Sequence, residues 1–211
     1  MLDDSWDVRF VRGPRSAAAL NVPAISDPAL LISRYVTPTK TRKGIGIVPY
    51  YRSSRRIWQA VAAQMGARII SPRLAVDPFI EALSSCERVF CEAMHGAIFA
   101  DALRIPWRPV SFQNALFEGE THCFKWSDWA ESVDLTFDPL VQPLDRIAAW
   151  PVEGKLAKVR AGLNGLLGSR DLAALLRGGL RDDRFVLSAN DVFDDRVGRM
   201  ADAFATVNRG Q

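Results

Sequence analysis

Apolar and polar positions change their rhythm along this chain. From Val8 to Gly13 apolar and charged residues alternate, the period of a half-buried strand. Pro14 suits the first turn of a helix that runs through an alanine-rich stretch to Leu20. Ala24 to Ile32 reads as a second extended segment broken at Pro28, and the polar residues 37–44 read as a linker. Beyond the linker the pattern becomes regular. Ile45 to Tyr50 is an apolar strand, followed by a helix from Ile57 to Met65 with Ser53 or Ser54 as its cap and Gly66 as its stop. Arg68 to Ile70 is a strand, and Asp77 and Pro78 open the next helix as N-cap and first residue. Arg88–Cys91 forms a third strand, Gly96–Leu103 a third helix and Trp107–Phe112 a fourth strand. Strands alternating with helices over short connections predict an α/β fold with a parallel sheet flanked by helices. The rest of the chain predicts extra C-terminal helices, with one packing stripe at Leu156, Val159, Leu163, Leu166 and Leu167. A second lies at Val192, Phe193, Val197, Met200 and Phe204.

Composition narrows the class more than it names it. With 211 residues, 48% of them hydrophobic and 24% charged, the chain has the make-up of a globular protein rather than a disordered one. No run of about 18 uncharged apolar residues is present. The first residues lack the basic start and apolar stretch of a signal peptide. Three cysteines, an odd number without framework spacing, fit a reducing compartment. The net charge of +3 is unevenly spread: residues 1–60 carry ten Lys/Arg against four Asp/Glu, and residues 61–150 carry seven against twelve. The basic front end suits an anionic ligand or a solvated face. Nucleic acid is not an expected partner, because no dense basic run interleaves with aromatics and the middle of the chain is acidic.

The chemistry concentrates between Arg88 and Pro106. An apolar strand runs straight into Met94-His95-Gly96, where a helix begins. Ligands of open parallel sheets bind at the carboxyl ends of strands, and free N–H groups at a helix start favour a phosphate or carboxylate. An imidazole placed there is well set for acid–base work. The alternative is a partly buried histidine satisfied by a backbone carbonyl. Tyr50, Tyr51 and Arg52 follow another strand and reach the same carboxyl edge. Cys91 with His95, and His122 with Cys123, do not complete a ligand set for zinc, and no metal is expected.

The segment Glu92-Ala-Met-His-Gly-Ala-Ile-Phe-Ala-Asp-Ala-Leu-Arg-Ile-Pro106 resembles the histidine motif of the polysaccharide pyruvyl transferases, in particular the succinoglycan branch. Three further stretches resemble that family in the same order: Val8 to Ser16, Ser26 to Leu31, and Phe124-Lys-Trp-Ser-Asp-Trp129. The resemblance implies a Rossmann-like domain that corresponds to the C-terminal half of a two-domain fold of the glycosyltransferase B type. Residues 1–36 would then be a crossover from an N-terminal domain outside this chain, 37–150 the donor-binding domain and 151–211 a helical region. The activity implied is transfer of the enolpyruvyl unit of phosphoenolpyruvate onto a sugar diol as a ketal, without any cofactor. His95 matches the family's catalytic histidine and Arg12 its donor arginine. Many members carry an arginine two residues before the histidine, where this chain has Ala93. Arg15, Arg52 and Lys125 are the candidate replacements, beside Met94 and Gly96 at the helix start.

Two expectations about the acceptor rest on less. Trp126 and Asp128 are candidates for stacking on a sugar and orienting a hydroxyl, with core packing and a solvated carboxylate as the alternatives. The partners implied are phosphoenolpyruvate, a lipid-linked or nucleotide-linked sugar and a second copy of the chain. The location implied is the cytoplasm, including the inner face of the membrane. A glycosyltransferase of similar fold that uses a nucleotide sugar, and a non-catalytic donor-binding module, stay open as alternatives.

Overall fold

A computed structural model describes residues 5–39, 41–142 and 155–207. Five strands form a parallel sheet in the order β2-β1-β3-β4-β5: β1 (Ile45–Val48), β2 (Arg68–Ile69), β3 (Arg88–Cys91), β4 (Trp107–Ser111) and β5 (Leu140–Val141). The helices are α1 (Pro14–Leu20), α2 (Arg55–Met65), α3 (Val76–Ser84), α4 (Met94–Ala102), α5 (Gln113–Glu118), α6 (Glu120–Ser132), α7 (Lys155–Arg181) and α8 (Asn190–Val207), with a 3-10 helix at Pro28–Arg34.

The central strands are largely apolar because both of their faces are covered, the buried exception being Arg108 in β4, which pairs with Asp182. Ile47, Phe90 and Val110 point into one core with Trp58 and Val61 of α2 and Leu172 and Leu176 of α7. Val48, Val89, Cys91 and Trp107 point into the other, against Phe79 of α3, Ile98 of α4, Trp126 and Trp129 of α6 and Met200 of α8. Each large aliphatic or aromatic side chain sealed in this way contributes about 1.5–3 kcal/mol. Gly66 closes α2 in the left-handed conformation, φ 64°, as its position in the sequence predicts.

Several boundaries differ from expectation, among them α4, which starts at Met94 rather than Gly96. The strand expected at Val8–Gly13 shrinks to a single bridge between Val11 and Ala24, since that segment lies beside no further strand. Ala24 to Ile32 is extended only as far as Asp27, whose carboxylate accepts the Ala29 amide and starts the 3-10 helix. Helix α3 begins at Val76 rather than behind an Asp77 cap. Ala75 takes the extended cap conformation, which puts Asp77 in the first turn near the helix's positive end. Of the two C-terminal stripes, Phe193, Val197 and Met200 are buried, whereas Phe204 is half exposed beside Phe10. Leu156 to Leu167 lie outside the residues whose side chains are described.

Candidate functional site

The strand order fixes where a crevice must open. The chain leaves β1 toward β2 through α2 on one face, and leaves β3 toward β4 through α4 on the opposite face. The loops after β1 and β3 therefore diverge at the carboxyl edge, the usual ligand position in such sheets.

His95 stands at that edge in the first turn of α4, with 61% of its side chain exposed. Gly96 explains why the ring is held there. A Cβ at Gly96 would come within 2.8 Å of Val48 Cγ1, so only glycine lets α4 press onto β1. His95 lines a cavity of about 170 Å3 with Val48, Leu74, Phe79, Ala93 and Phe99. Its Nε2 is 3.7 Å from Oδ2 of Asp27, and the same oxygen is 3.7 Å from Nη1 of Arg12. Three segments far apart in sequence thus bring an imidazole and a guanidinium to one nearly buried carboxylate. Arg12 Nε is buried and has no hydrogen-bond partner among the described residues, an unmet donor beside this cluster.

A second carboxylate organises the crevice from beneath. Glu92 is 1% exposed, at the end of β3. It accepts hydrogen bonds from the Tyr50 amide (2.8 Å), the Ser53 hydroxyl (2.6 Å), the Trp58 indole (2.8 Å) and the Asn114 amide (3.0 Å). Burial pushes its carboxyl above the ordinary value, and the four donors pull it back. One side chain so ties the loops behind β1 and β4 to β3. Burial also raises the Tyr50 phenol, to about 12, with Tyr51 and Glu118 adding to the shift.

The other residues expected at the site scatter. Arg15 pairs with Glu131 at the surface, its Nε 3.1 Å from both carboxylate oxygens. Arg52 lies over the ring of Phe117, 4.4 Å from its centroid. Lys125 is paired with Glu118. Met94 is buried in the core at the start of α4. Trp126 and Asp128 are fully buried. Trp126 stacks on Phe137 at 5.2 Å. Asp128 accepts the Arg15 and Ser16 amides (2.9 and 3.0 Å) and the Ser16 hydroxyl (2.7 Å), and so caps α1 from another helix. Neither side chain shares the His95 crevice. Sequence reasoning passed over Asp27 and Glu92, although both belong to the motifs it singled out. An acid before proline reads as a turn, and an acid after an apolar strand reads as a loop residue.

No group of three or more His, Cys, Asp or Glu side chains placed to hold a metal occurs among the described residues. None of the described helices is long and apolar enough to cross a membrane.

Comparison with known proteins follows the same residues. The sequence profile of the polysaccharide pyruvyl transferase family matches residues 1–114. The chain is similar to the succinoglycan biosynthesis protein ExoV of Rhizobium meliloti (strain 1021), at 34% identity over 155 residues, 71% of this chain and 48% of that protein. It thus spans about half the length of that relative. No solved structure matches.

Proposed function

This chain belongs to the polysaccharide pyruvyl transferase family, and from that premise we propose that it handles the donor in transfer of a pyruvyl unit from phosphoenolpyruvate to a sugar of an exopolysaccharide. The observation that carries the reading is the convergence of His95 and Arg12 on Asp27 at the mouth of the crevice, 3.7 Å on each side. The guanidinium, with its unmet Nε, takes the carboxylate or phosphate of the donor beside the amide end of α4. His95, as the imidazolium, protonates the methylene carbon. The adjacent carbon becomes oxocarbenium-like, and one sugar hydroxyl adds to it and returns its proton to the imidazole. A second hydroxyl then displaces phosphate, which departs with the second proton. One C–H and two C–O bonds form while the C=C π bond and the C–O bond to phosphate break. No oxidant, reductant or cofactor enters that balance. Asp27 spaces the two cationic side chains and keeps the ring turned toward the donor.

Phosphoenolpyruvate is a cytoplasmic metabolite, so the reading places the protein in the cytoplasm, where a lipid-linked or nucleotide-linked sugar meets it at the inner membrane face. The test is to incubate the protein with phosphoenolpyruvate and a galactoside or glucoside diol, following phosphate release and ketal formation by mass spectrometry. Consumption of a nucleotide sugar in place of phosphoenolpyruvate would overturn the assignment.

A further inference from the structure

A larger cavity, about 420 Å3, opens beside the His95 cleft between the loops that follow β1 and β2. Pro72 lines both hollows, so they adjoin. The size falls in the usual range for small-molecule sites, about 300–1,000 Å3. That is more room than the small enolpyruvyl phosphate fills. We propose that this cavity binds a glycosyl phosphate, meaning a sugar ring together with the phosphate or diphosphate on its anomeric carbon. Calling that ligand the acceptor rests on the pyruvyl transfer reading above; the pocket chemistry does not.

The lining decides the class of ligand. Tyr50, Tyr51 and Trp58 supply aromatic surface, Arg55 and Arg73 supply positive charge, and no carboxylate contributes to the wall. Several arginines elsewhere are paired with carboxylates: Arg15 with Glu131, Arg88 with Asp183 and Arg108 with Asp182. Neither Arg55 nor Arg73 has a carboxylate at ion-pair distance among the described residues. Arg73 is nevertheless placed, because its Nη2 donates to the Tyr51 carbonyl at 2.9 Å and its guanidinium lies 5.6 Å from the Tyr51 ring centroid. The rest of its fork is left for a phosphate oxygen. Arg55 opens α2, whose first turn carries no acidic residue and whose cap residue makes no side-chain bond to it, so the positive end of the helix adds to the same field. The floor is preorganised as well: Tyr50, Ser53 and Trp58 all donate to Glu92, which spends its charge beneath the cavity rather than in it. Rigid aromatic walls with two uncommitted guanidinium groups suit a sugar ring that carries a phosphate.

Isothermal titration of the protein with glucose 1-phosphate, UDP-glucose, inorganic pyrophosphate and phosphoenolpyruvate tests this. Arg55→Gln and Arg73→Gln change exposed side chains, and melting curves of both variants serve as the check that they fold. Each is expected to weaken glucose 1-phosphate and UDP-glucose at least about tenfold, the loss of one charge-assisted contact, and to leave phosphoenolpyruvate affinity unchanged. Tyr51→Ala should weaken the two sugar phosphates more than pyrophosphate. Equal binding of glucose 1-phosphate and UDP-glucose assigns the pocket to the sugar phosphate common to lipid and nucleotide carriers; much tighter UDP-glucose binding assigns it to the nucleotide-linked form. Absence of sugar phosphate binding, or binding indifferent to both arginines, overturns the proposal. Competition by phosphoenolpyruvate for this pocket also overturns it, yet leaves pyruvyl transfer standing. Arginine-dependent sugar phosphate binding without phosphoenolpyruvate binding or ketal formation does the reverse.

Discussion

The two histidines of the chain lie in similar local settings and differ in what surrounds their rings. Each lies in the first turn of a helix that follows the carboxyl end of a parallel strand, His95 in α4 after β3 and His122 in α6 after β4 and α5. His122 is 2% exposed, and both of its ring nitrogens are engaged, Nε2 with the Ser111 hydroxyl at 2.8 Å and Nδ1 with Glu118 at 3.1 Å. Its ring also meets Trp126 and Phe137 edge-on. The His95 ring makes no hydrogen bond to the described residues, and its nearest acid, Asp27, stands 3.7 Å away. A ring with every donor and acceptor satisfied in a packed interior works as a strut. A ring with open valence, near a guanidinium whose Nε has no partner among the described residues, is free to meet a ligand. Ser111, His122 and Glu118 have the connectivity of a hydrolytic triad, but Ser111 is buried and lines neither cavity.

The sharpest way to break this comparison is to remove each ring in turn. His95→Ala should lower turnover by about 10²–10⁴-fold, as expected for loss of a proton-transfer group, while phosphoenolpyruvate affinity changes far less. Unchanged phosphate release would remove His95 from the chemistry. His122→Ala should do the opposite: urea unfolding should show a loss of about 2–4 kcal/mol, from a cavity plus an orphaned Ser111 hydroxyl while Glu118 keeps Lys125, with turnover per folded molecule retained. Arg12→Ala comes next in size, weakening phosphoenolpyruvate roughly tenfold or more in a titration, because one charge-assisted contact is lost.

The smallest effect concerns acid sensitivity. Burial lowers the His122 pKa from its ordinary 6.5, with Glu118 opposing the shift. The unfolded chain therefore takes up a proton before the folded one does. The stability this histidine contributes is present above pH 6.5 and is lost as the pH falls through that value toward the lowered native one. Melting temperatures across that window should fall less steeply for His122→Gln than for the parent. Parallel curves would mean that the buried ring does not titrate on unfolding.

Much of the scaffold could be read in advance, and the reasons are local. β1 and β3 are mostly apolar runs bounded by Gly, Pro or charge, and β4 reads as a strand despite Arg108 because Trp107, Val110 and Phe112 frame it. The two-residue β5 escaped notice because Leu140-Val141 offers too short a run to register. At the site, His95 and Arg12 stood out through position and motif. Their common partner did not, since nothing in Ser26-Asp-Pro28 indicates which side chains will cross from fifteen and sixty-eight residues away. The same blindness applies to Asp128, which caps a helix 112 and 113 residues earlier in the chain. Its burial, like that of Trp126, follows from α6 packing against α1 and β4, a tertiary outcome that helical spacing alone leaves undecided. Arg55 and Arg73 carry no motif of their own, and only the loops behind β1 and β2 bring them to one hollow.

The four donors on Glu92 carry a consequence for exchange with solvent deuterium. The Tyr50 and Asn114 amides belong to loop and helix-start positions, where protons usually exchange within seconds through local fraying. Here they end on a carboxylate that is itself sealed beneath the sheet edge. Both end on the two oxygens of one sealed carboxylate, so both are expected to share one slow opening event and one denaturant dependence. The turn behind β1 and the start of α5 are then expected to open as one unit with the central strands, and the crevice to keep its shape whether or not a ligand occupies it.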